Sequence, residues 1–151
     1  MFSLFKRKKL FSEEESKKIV DAIRQAEMKT SGEVRVFAES RCKFMDPLDR
    51  AYEIFAELDM QKTQDRNAVL VYVALKDRQL AIYGDIGIHE KTGKEFWTAS
   101  VNTIIHHFNR ENYADGISTC VDQIGDALHL HFPYNKEIDK NELPDEIIFG
   151  R

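Results

Sequence analysis

The sequence is poor in the residues that mark disordered, disulfide-bonded or metal-binding proteins. Its 151 residues include only three prolines and seven glycines, too few for a long low-complexity tract. Only two cysteines are present, Cys42 and Cys120, and they lie far apart and outside any zinc-binding spacing. We therefore expect both to be buried, reduced thiols in a cytoplasmic protein.

Long apolar runs and an excess of positive charge are also missing. No run approaches the roughly 20 apolar residues of a membrane span, and no apolar segment follows the N-terminal charges as it would in a signal peptide. The formal net charge is −4, so nucleic acid is not expected as a partner. This length and composition predict a single cytoplasmic domain, which we expect to be a monomer.

The N-terminus combines basic and aromatic residues. Residues 6–9 are all lysine or arginine, and they are flanked by Phe2, Phe5 and Phe11. This pattern is typical of a weak peripheral contact with an anionic membrane surface. The alternative is a solvated terminus whose Phe11 packs on the domain, which we favour because no second membrane anchor is visible.

Three segments carry the pattern of β-strands. Residues 68–75 are all apolar in an otherwise highly charged chain, which predicts a strand buried on both faces. A short turn at 76–78 leads to a second strand over 79–83 and then to a glycine-bearing loop at 84–87. Residues 33–39 alternate between apolar and polar positions, which predicts an earlier strand with one wetter face near the edge of the sheet.

Four segments carry the pattern of helices. Ser12 and Glu15 form a capping box that begins a helix ending near residue 29. Pro47 begins a second helix that ends near residue 59. A third follows Gly93, and a fourth runs from about residue 113 to Pro133.

The element order α-β-α-β-β-α-α predicts an α/β fold, a three-layer α/β/α sandwich around a small mixed sheet. The first two strands are joined by a helix and should be parallel, whereas the third should pair antiparallel with the second. The domain is expected to span residues 12–132, between the basic residues 1–11 and an acidic tail at 133–151. That tail contains an apolar island at 147–149, whose docking place the sequence leaves open.

Acidic residues converge at one end of this predicted sheet. Parallel first and second strands bring Glu33 beside Asp65 and Asn67, and the antiparallel third strand returns Asp85 to the same end. Hard oxygen ligands on loops are what Ca²⁺ or Mg²⁺ needs, so these residues are candidate ligands of a divalent cation. The alternative is that they are ordinary solvated carboxylates, which are common on loops.

A smaller acidic set is expected at the opposite end of the sheet, where the parallel strands end: Asp46, Asp77 and Asp115. Asp115 also lies near a predicted helix N-terminus, where capping explains it without a ligand.

Signatures of common enzyme classes are absent from the sequence. There is no phosphate-binding loop of the G-x-x-x-x-G-K type, no G-x-G-x-x-G and no G-x-S-x-G. Five histidines are present, but none has the spaced partner that a zinc site needs; the most suggestive is His89, beside the predicted glycine loop. A hydrolase built on this sequence would have to use metal-activated water.

Four short motifs in register resemble the TPM domain family, named after a plant thylakoid lumen protein, a photosystem II protein and a nematode receptor modulator. They are Ser-Gly-Glu at 31–33, Asn-Ala-Val-Leu at 67–70, Asp-Arg at 77–78 with Ile-Tyr-Gly at 82–84, and Asn-Tyr-x-x-Gly-Ile at 112–117. The resemblance implies an α/β/α sandwich and links to divalent-cation binding, photosystem II repair and acid phosphatase activity. It also adds Asp115 to the candidate ligands, through the last motif.

The leading hypothesis is therefore a stand-alone, soluble bacterial TPM-like domain that binds Ca²⁺ or Mg²⁺ through Glu33, Asp65, Asp85 and Asp115. One alternative, implied by the resemblance, is a metal-dependent acid phosphatase of low activity. Another is a non-catalytic module that contacts a protein partner or a membrane surface through its basic N-terminus and acidic tail.

Overall fold

A mixed β-sheet lies at the centre of the molecule, which we describe from a computed structural model over residues 10–108, 112–134 and 146–150. Its strands in the described part are β1 (Glu33–Glu39), β2 (Ala68–Ala74), β3 (Gln79–Gly84) and β4 (Ile148–Phe149). They lie in the order β3-β2-β1-β4. Strands β1 and β2 are parallel, β3 is antiparallel to β2, and β4 is parallel to β1.

Helices cover both faces of this sheet. The described residues contain α1 (Glu13–Met28), α2 (Pro47–Glu57), a short 3₁₀ helix (Met60–Lys62), α3 (Ile86–Thr92), α4 (Lys94–Phe108) and α5 (Tyr113–His131). Helices α1, α3, α4 and α5 pack on one face, and α2 packs on the other. The predicted three-layer α/β/α sandwich is confirmed.

Strand β2 forms the middle of the core, as its continuous apolar pattern predicts. All seven of its residues are buried. Val69, Val71 and Val73 pack in the cluster with α1 and α5, whereas Leu70 and Tyr72 pack in the cluster with α2. A strand flanked by two others and covered on both faces has no position for a polar side chain, which explains its composition.

The local signals for helix ends are confirmed. Ser12 and Glu15 form a reciprocal capping box at the start of α1, which satisfies two backbone amides that the first turn leaves unpaired. Pro47 occupies the first turn of α2, and the carboxylate of Asp46 accepts a hydrogen bond from the Leu48 amide at 3.0 Å.

Both cysteines are free and buried, and burial raises the pKa of Cys120 to about 12.

Strand β1 departs from the sequence prediction. All seven of its residues are buried, so the predicted wetter face near a sheet edge is wrong. Its outer edge is paired with residues 148–149, which return to form β4, and the predicted wetter face is covered on the side of α2, where Phe37 packs. The apolar island of the tail therefore docks as an edge strand. The ring centroid of Phe149 lies 6.2 Å from that of the buried Phe11.

The predicted loop at 84–87 is also wrong in part, because α3 begins at Ile86. The carboxylate of Asp85 caps this helix by accepting a hydrogen bond from the Ile86 amide at 2.8 Å. Gly87 lies in the first turn of α3. Because glycine is a poor helix former, the sequence pattern predicts a loop there.

The basic residues 6–9 and residues 135–145 of the acidic tail lie outside the described residues, so the predicted lipid contact stays a prediction. Within the described ranges, no helix combines the length and the apolar character that a membrane span requires.

Candidate functional site

The sheet brings two acidic residues to the same end on either side of Ala68. Glu33 faces Ala68 in the register of β1 and β2, and the amide of Asp85 donates to the Ala68 carbonyl at 2.9 Å. Because neighbouring strands lie about 4.8 Å apart, the backbones of Glu33 and Asp85 are roughly 10 Å apart across Ala68. We call this end of the sheet the Glu33–Asp85 edge.

Both carboxylates point to the face of the sheet that α2 covers. Side chains alternate along a strand, and Phe37 on β1 and Tyr83 on β3 both pack in the cluster with α2. Glu33 and Asp85 lie at even spacings from these residues and so share their face. Glu33 is 2% exposed and Asp85 is 1% exposed, which is unusual for carboxylates at the end of a sheet.

Arg66 neutralises Asp85. Its Nε donates to Asp85 Oδ2 at 2.6 Å and its Nη2 to Asp85 Oδ1 at 2.8 Å, a bidentate arrangement that is among the strongest protein ion pairs. Hydrogen bonding to Asp85 raises the pKa of Arg66. The Arg66 side chain is nevertheless 49% exposed, whereas that of Asp85 is 2% exposed, so the pair has one fixed, buried partner and one that reaches it from solvent.

Asp65 lies next to this pair on an exposed loop. The backbone of residues 65–66 packs against the first turn of α3. The amide of Gly87 donates to the Arg66 carbonyl at 2.8 Å. A Cβ atom at Gly87 would lie 2.0 Å from the Asp65 carbonyl oxygen. Gly87 therefore permits the close approach that holds residues 65–66 beside Asp85.

Asn67 adds a buried oxygen on the other face of the same edge. Its carbonyl accepts from the Glu33 amide at 3.4 Å, and its Nδ2 donates to Ser31 Oγ at 3.4 Å. Its Oδ1 is buried and has no hydrogen-bond partner among the described residues. A buried acceptor of this kind is uncommon in native proteins.

Asp115 does not join this group. It lies in the first turn of α5, where its exposed carboxylate pairs with Lys18 of α1, and this pairing lowers the pKa of Asp115. The other end of α5 reaches the Glu33–Asp85 edge, since Leu128 lies against Gly32. At a rise of about 1.5 Å per residue, Asp115 is roughly 20 Å further along the helix.

The structure thus brings Glu33, Asp65 and Asp85 to one edge and places Asp115 elsewhere. Within the described ranges, no group of three or more histidine, cysteine, aspartate or glutamate side chains lies close enough to hold a metal ion as it stands.

The opposite end of the sheet contains a buried polar cluster that the sequence did not predict. Glu39 accepts from Arg50 Nε at 3.0 Å and Arg50 Nη2 at 3.2 Å, and it also accepts from the hydroxyl of Tyr72. Burial, followed by the hydrogen bond to Glu39, raises the pKa of Tyr72. The only sequence signal was Glu39 at the end of a strand with an arginine in the next helix.

The other residues singled out in the sequence have structural partners. Asp77 accepts from the Cys42 amide at 2.8 Å and from Arg41 at 2.9 Å, which ties the turn after β2 to the segment after β1. His89 lies in α3, and its Nδ1 accepts a hydrogen bond from the indole N–H of Trp97 at 2.9 Å.

Comparison with known proteins places the chain in a family. The family model described as the TPM domain matches residues 4–127. The chain belongs to the TPM domain family. Among solved structures, it is similar to the BA42 protein from the psychrophilic bacterium Bizionia argentinensis, with 41% identity, a TM-score of 0.87, and coverage of 96% of this chain and 99% of that one.

A more distant structure shares only the fold of this TPM domain. The N-terminal domain of the cg2496 protein from Corynebacterium glutamicum is 14% identical, with a TM-score of 0.58 and coverage of 92% of this chain and 80% of that one. The search among curated proteins returned no match.

Proposed function

We propose that this TPM domain binds a divalent cation, Ca²⁺ or Mg²⁺, at the Glu33–Asp85 edge, with Glu33, Asp65 and Asp85 as its acidic ligands. The observation that carries the proposal is the buried Asp85 carboxylate, whose countercharge comes from a half-exposed arginine. A second buried carboxylate, Glu33, lies on the same face two strands away. Carboxylate oxygens are the donors that these cations prefer.

In the absence of a cation, the Arg66 guanidinium supplies the positive charge beside Asp85. A buried carboxylate needs a positive partner, because an uncompensated charge in the interior is strongly destabilising. Arg66 supplies that charge from the solvent side and can return to solvent, where a guanidinium is fully hydrated. A cation and Arg66 would therefore compete for the same two oxygens of Asp85.

Asp65 extends the donor set from the loop that carries Arg66. It precedes Arg66 directly and its side chain lies in an exposed part of the loop, so it can turn toward Asp85 without disturbing the core. Asp115 is left out of the proposal, because its carboxylate is paired with Lys18 and it lies far along α5 from the other three residues.

A calcium or magnesium titration followed by amide chemical shifts tests this proposal. With ionic strength held constant by NaCl to keep general screening equal, we expect saturable shifts in residues 33, 65–67 and 84–90. The Asp85→Asn variant removes one ligand charge but preserves the α3 cap, since asparagine caps as well as aspartate. It should weaken binding by about tenfold or more.

The matched control is Asp115→Asn, which removes the same charge from the opposite end of the sheet. It should leave the calcium affinity within about twofold of wild type, since its carboxylate is solvated and distant. The proposal is wrong if no shifts cluster at the named residues, or if Asp115→Asn weakens binding as much as Asp85→Asn does.

A further inference from the structure

The outer edge of β3 is a second feature of the molecule, and the cation site does not use it. β3 is the last strand on its side of the sheet, and no strand in the described part of the chain pairs with its outer side. A cleft of about 770 Å³ runs along this edge, between the start of α2 on one side and α4 on the other.

Backbone groups of β3 face into this cleft. The Asp85 amide donates to the Ala68 carbonyl, which fixes the phase of the antiparallel ladder in which Leu70 faces Tyr83 and Tyr72 faces Ala81. In such a ladder, alternate residues direct their N–H and C=O groups away from the partner strand. Residues 80, 82 and 84 therefore present theirs to the cleft.

The cleft walls are apolar and accessible. Leu48 at the start of α2 is 50% exposed and Ile86 at the start of α3 is 54% exposed, and Val101 of α4 completes the wall opposite Leu48. Unpaired strand groups between apolar walls are the features by which a domain accepts an additional strand, with hydrogen bonds to the edge and pockets for alternate side chains.

Hydrogen-bond donors lie at the end of the cleft near Gly84. The Trp97 ring packs on Gly84, where a Cβ atom would lie 2.4 Å from it, and Lys94 precedes Trp97 by one helical turn. His89 accepts from Trp97 at Nδ1, so its neutral ring carries its proton on Nε2 and donates there. The exposed Lys94 and His89 thus favour a carboxylate at this end.

We propose that the cleft binds an extended peptide segment of another protein, which adds a strand to β3 and places a carboxylate against Lys94 and His89. A second copy of this chain cannot pair its own β3 edge with this one, because that edge is recessed between α2 and α4 in the same way. Two recessed edges cannot meet, whereas a single extended segment can enter.

Trp97 provides the readout, since it is the only tryptophan in the chain and it lines the cleft. The probe is a short acetylated peptide of alternating valine and threonine that ends in a free carboxylate. Its binding should shift the Trp97 emission in a saturable manner. The same peptide with alternate backbone nitrogens methylated cannot form the ladder and should bind about tenfold more weakly or worse.

Charge at the Gly84 end is tested with a matched pair of variants. Lys94→Glu should weaken binding of the carboxylate peptide by about tenfold, but leave binding of its amide-ended form unchanged. Lys91→Glu makes the same charge change on an exposed residue outside the cleft lining and should have no effect. Circular dichroism confirms that both variants are folded.

Three results would overturn the proposal. The first is an unchanged Trp97 emission at saturating peptide. The second is equal affinity for the methylated peptide, which would mean apolar adhesion without strand addition. The third is an emission shift that depends on protein concentration alone, together with a dimer mass in sedimentation, which would assign the cleft to a second copy.

Discussion

Replacing Gly87 with alanine is expected to destabilise the protein by about 2–3 kcal/mol, in the upper part of the range for overpacking, because the added Cβ meets backbone atoms that cannot rotate away. The added Cβ would lie 2.0 Å from the Asp65 carbonyl oxygen and 2.6 Å from the Arg66 carbonyl oxygen. Either α3 or the loop at 65–66 must move. Denaturant unfolding, followed by circular dichroism, measures the change in the free energy of unfolding.

Gly93→Ala is the matched control for this substitution. Gly93 has a φ of 83° and no atom within 4 Å of an added Cβ, so the cost there comes from backbone strain alone, about 1–3 kcal/mol. The close contact at Gly87 is contradicted if Gly87→Ala unfolds at the wild-type denaturant concentration, whatever the strain at Gly93 costs.

Replacing Glu39 with alanine is expected to cost about 3–5 kcal/mol, the range found when one partner of a buried ion pair is removed. Glu39 is buried, and its carboxylate accepts from both Arg50 and Tyr72. Without it, the fully buried Tyr72 hydroxyl loses its acceptor and the Arg50 guanidinium loses its buried partner. Equilibrium denaturation in urea measures the loss.

Glu53→Ala provides the comparison, because Glu53 pairs with the same arginine from the surface. Its side chain is 45% exposed, against 5% for Glu39, and exposed pairs contribute about 0–1 kcal/mol. Because the two glutamates carry the same charge and differ in exposure, comparing the two variants isolates the contribution of burial to the loss of stability. Equal losses for both variants would contradict the assignment of Glu39 as the buried centre of the cluster.

The sequence is informative wherever a local pattern determines the structure. The apolar residues 68–75 and the Ser12 capping box predict β2 and the start of α1 because their causes lie within a few residues. The convergence of residues 33 and 85 follows from strand direction alone. Each of these predictions needs only periodicity, capping and connection rules.

The features that the sequence misses have distant causes. β1 is not an edge strand, because β4, more than 100 residues later in the chain, pairs with it. Asp85 and Arg66 form the tightest pair of the candidate site, yet a loop with Arg66 at a φ of 51° brings them together. No local propensity predicts that a surface arginine folds back onto a helix cap.

The most direct test of the cation site is a calcium titration of the Arg66→Gln variant. If Arg66 competes with the cation for Asp85, removing its charge should lower the apparent Kd for calcium by about tenfold. The control is Lys62→Gln, which removes one positive charge from the short 3₁₀ helix just before this loop, where Lys62 pairs with Asp59 at 3.5 Å. Its affinity should stay within about twofold of wild type. An Arg66→Gln variant that binds calcium no more tightly than Lys62→Gln would contradict the site.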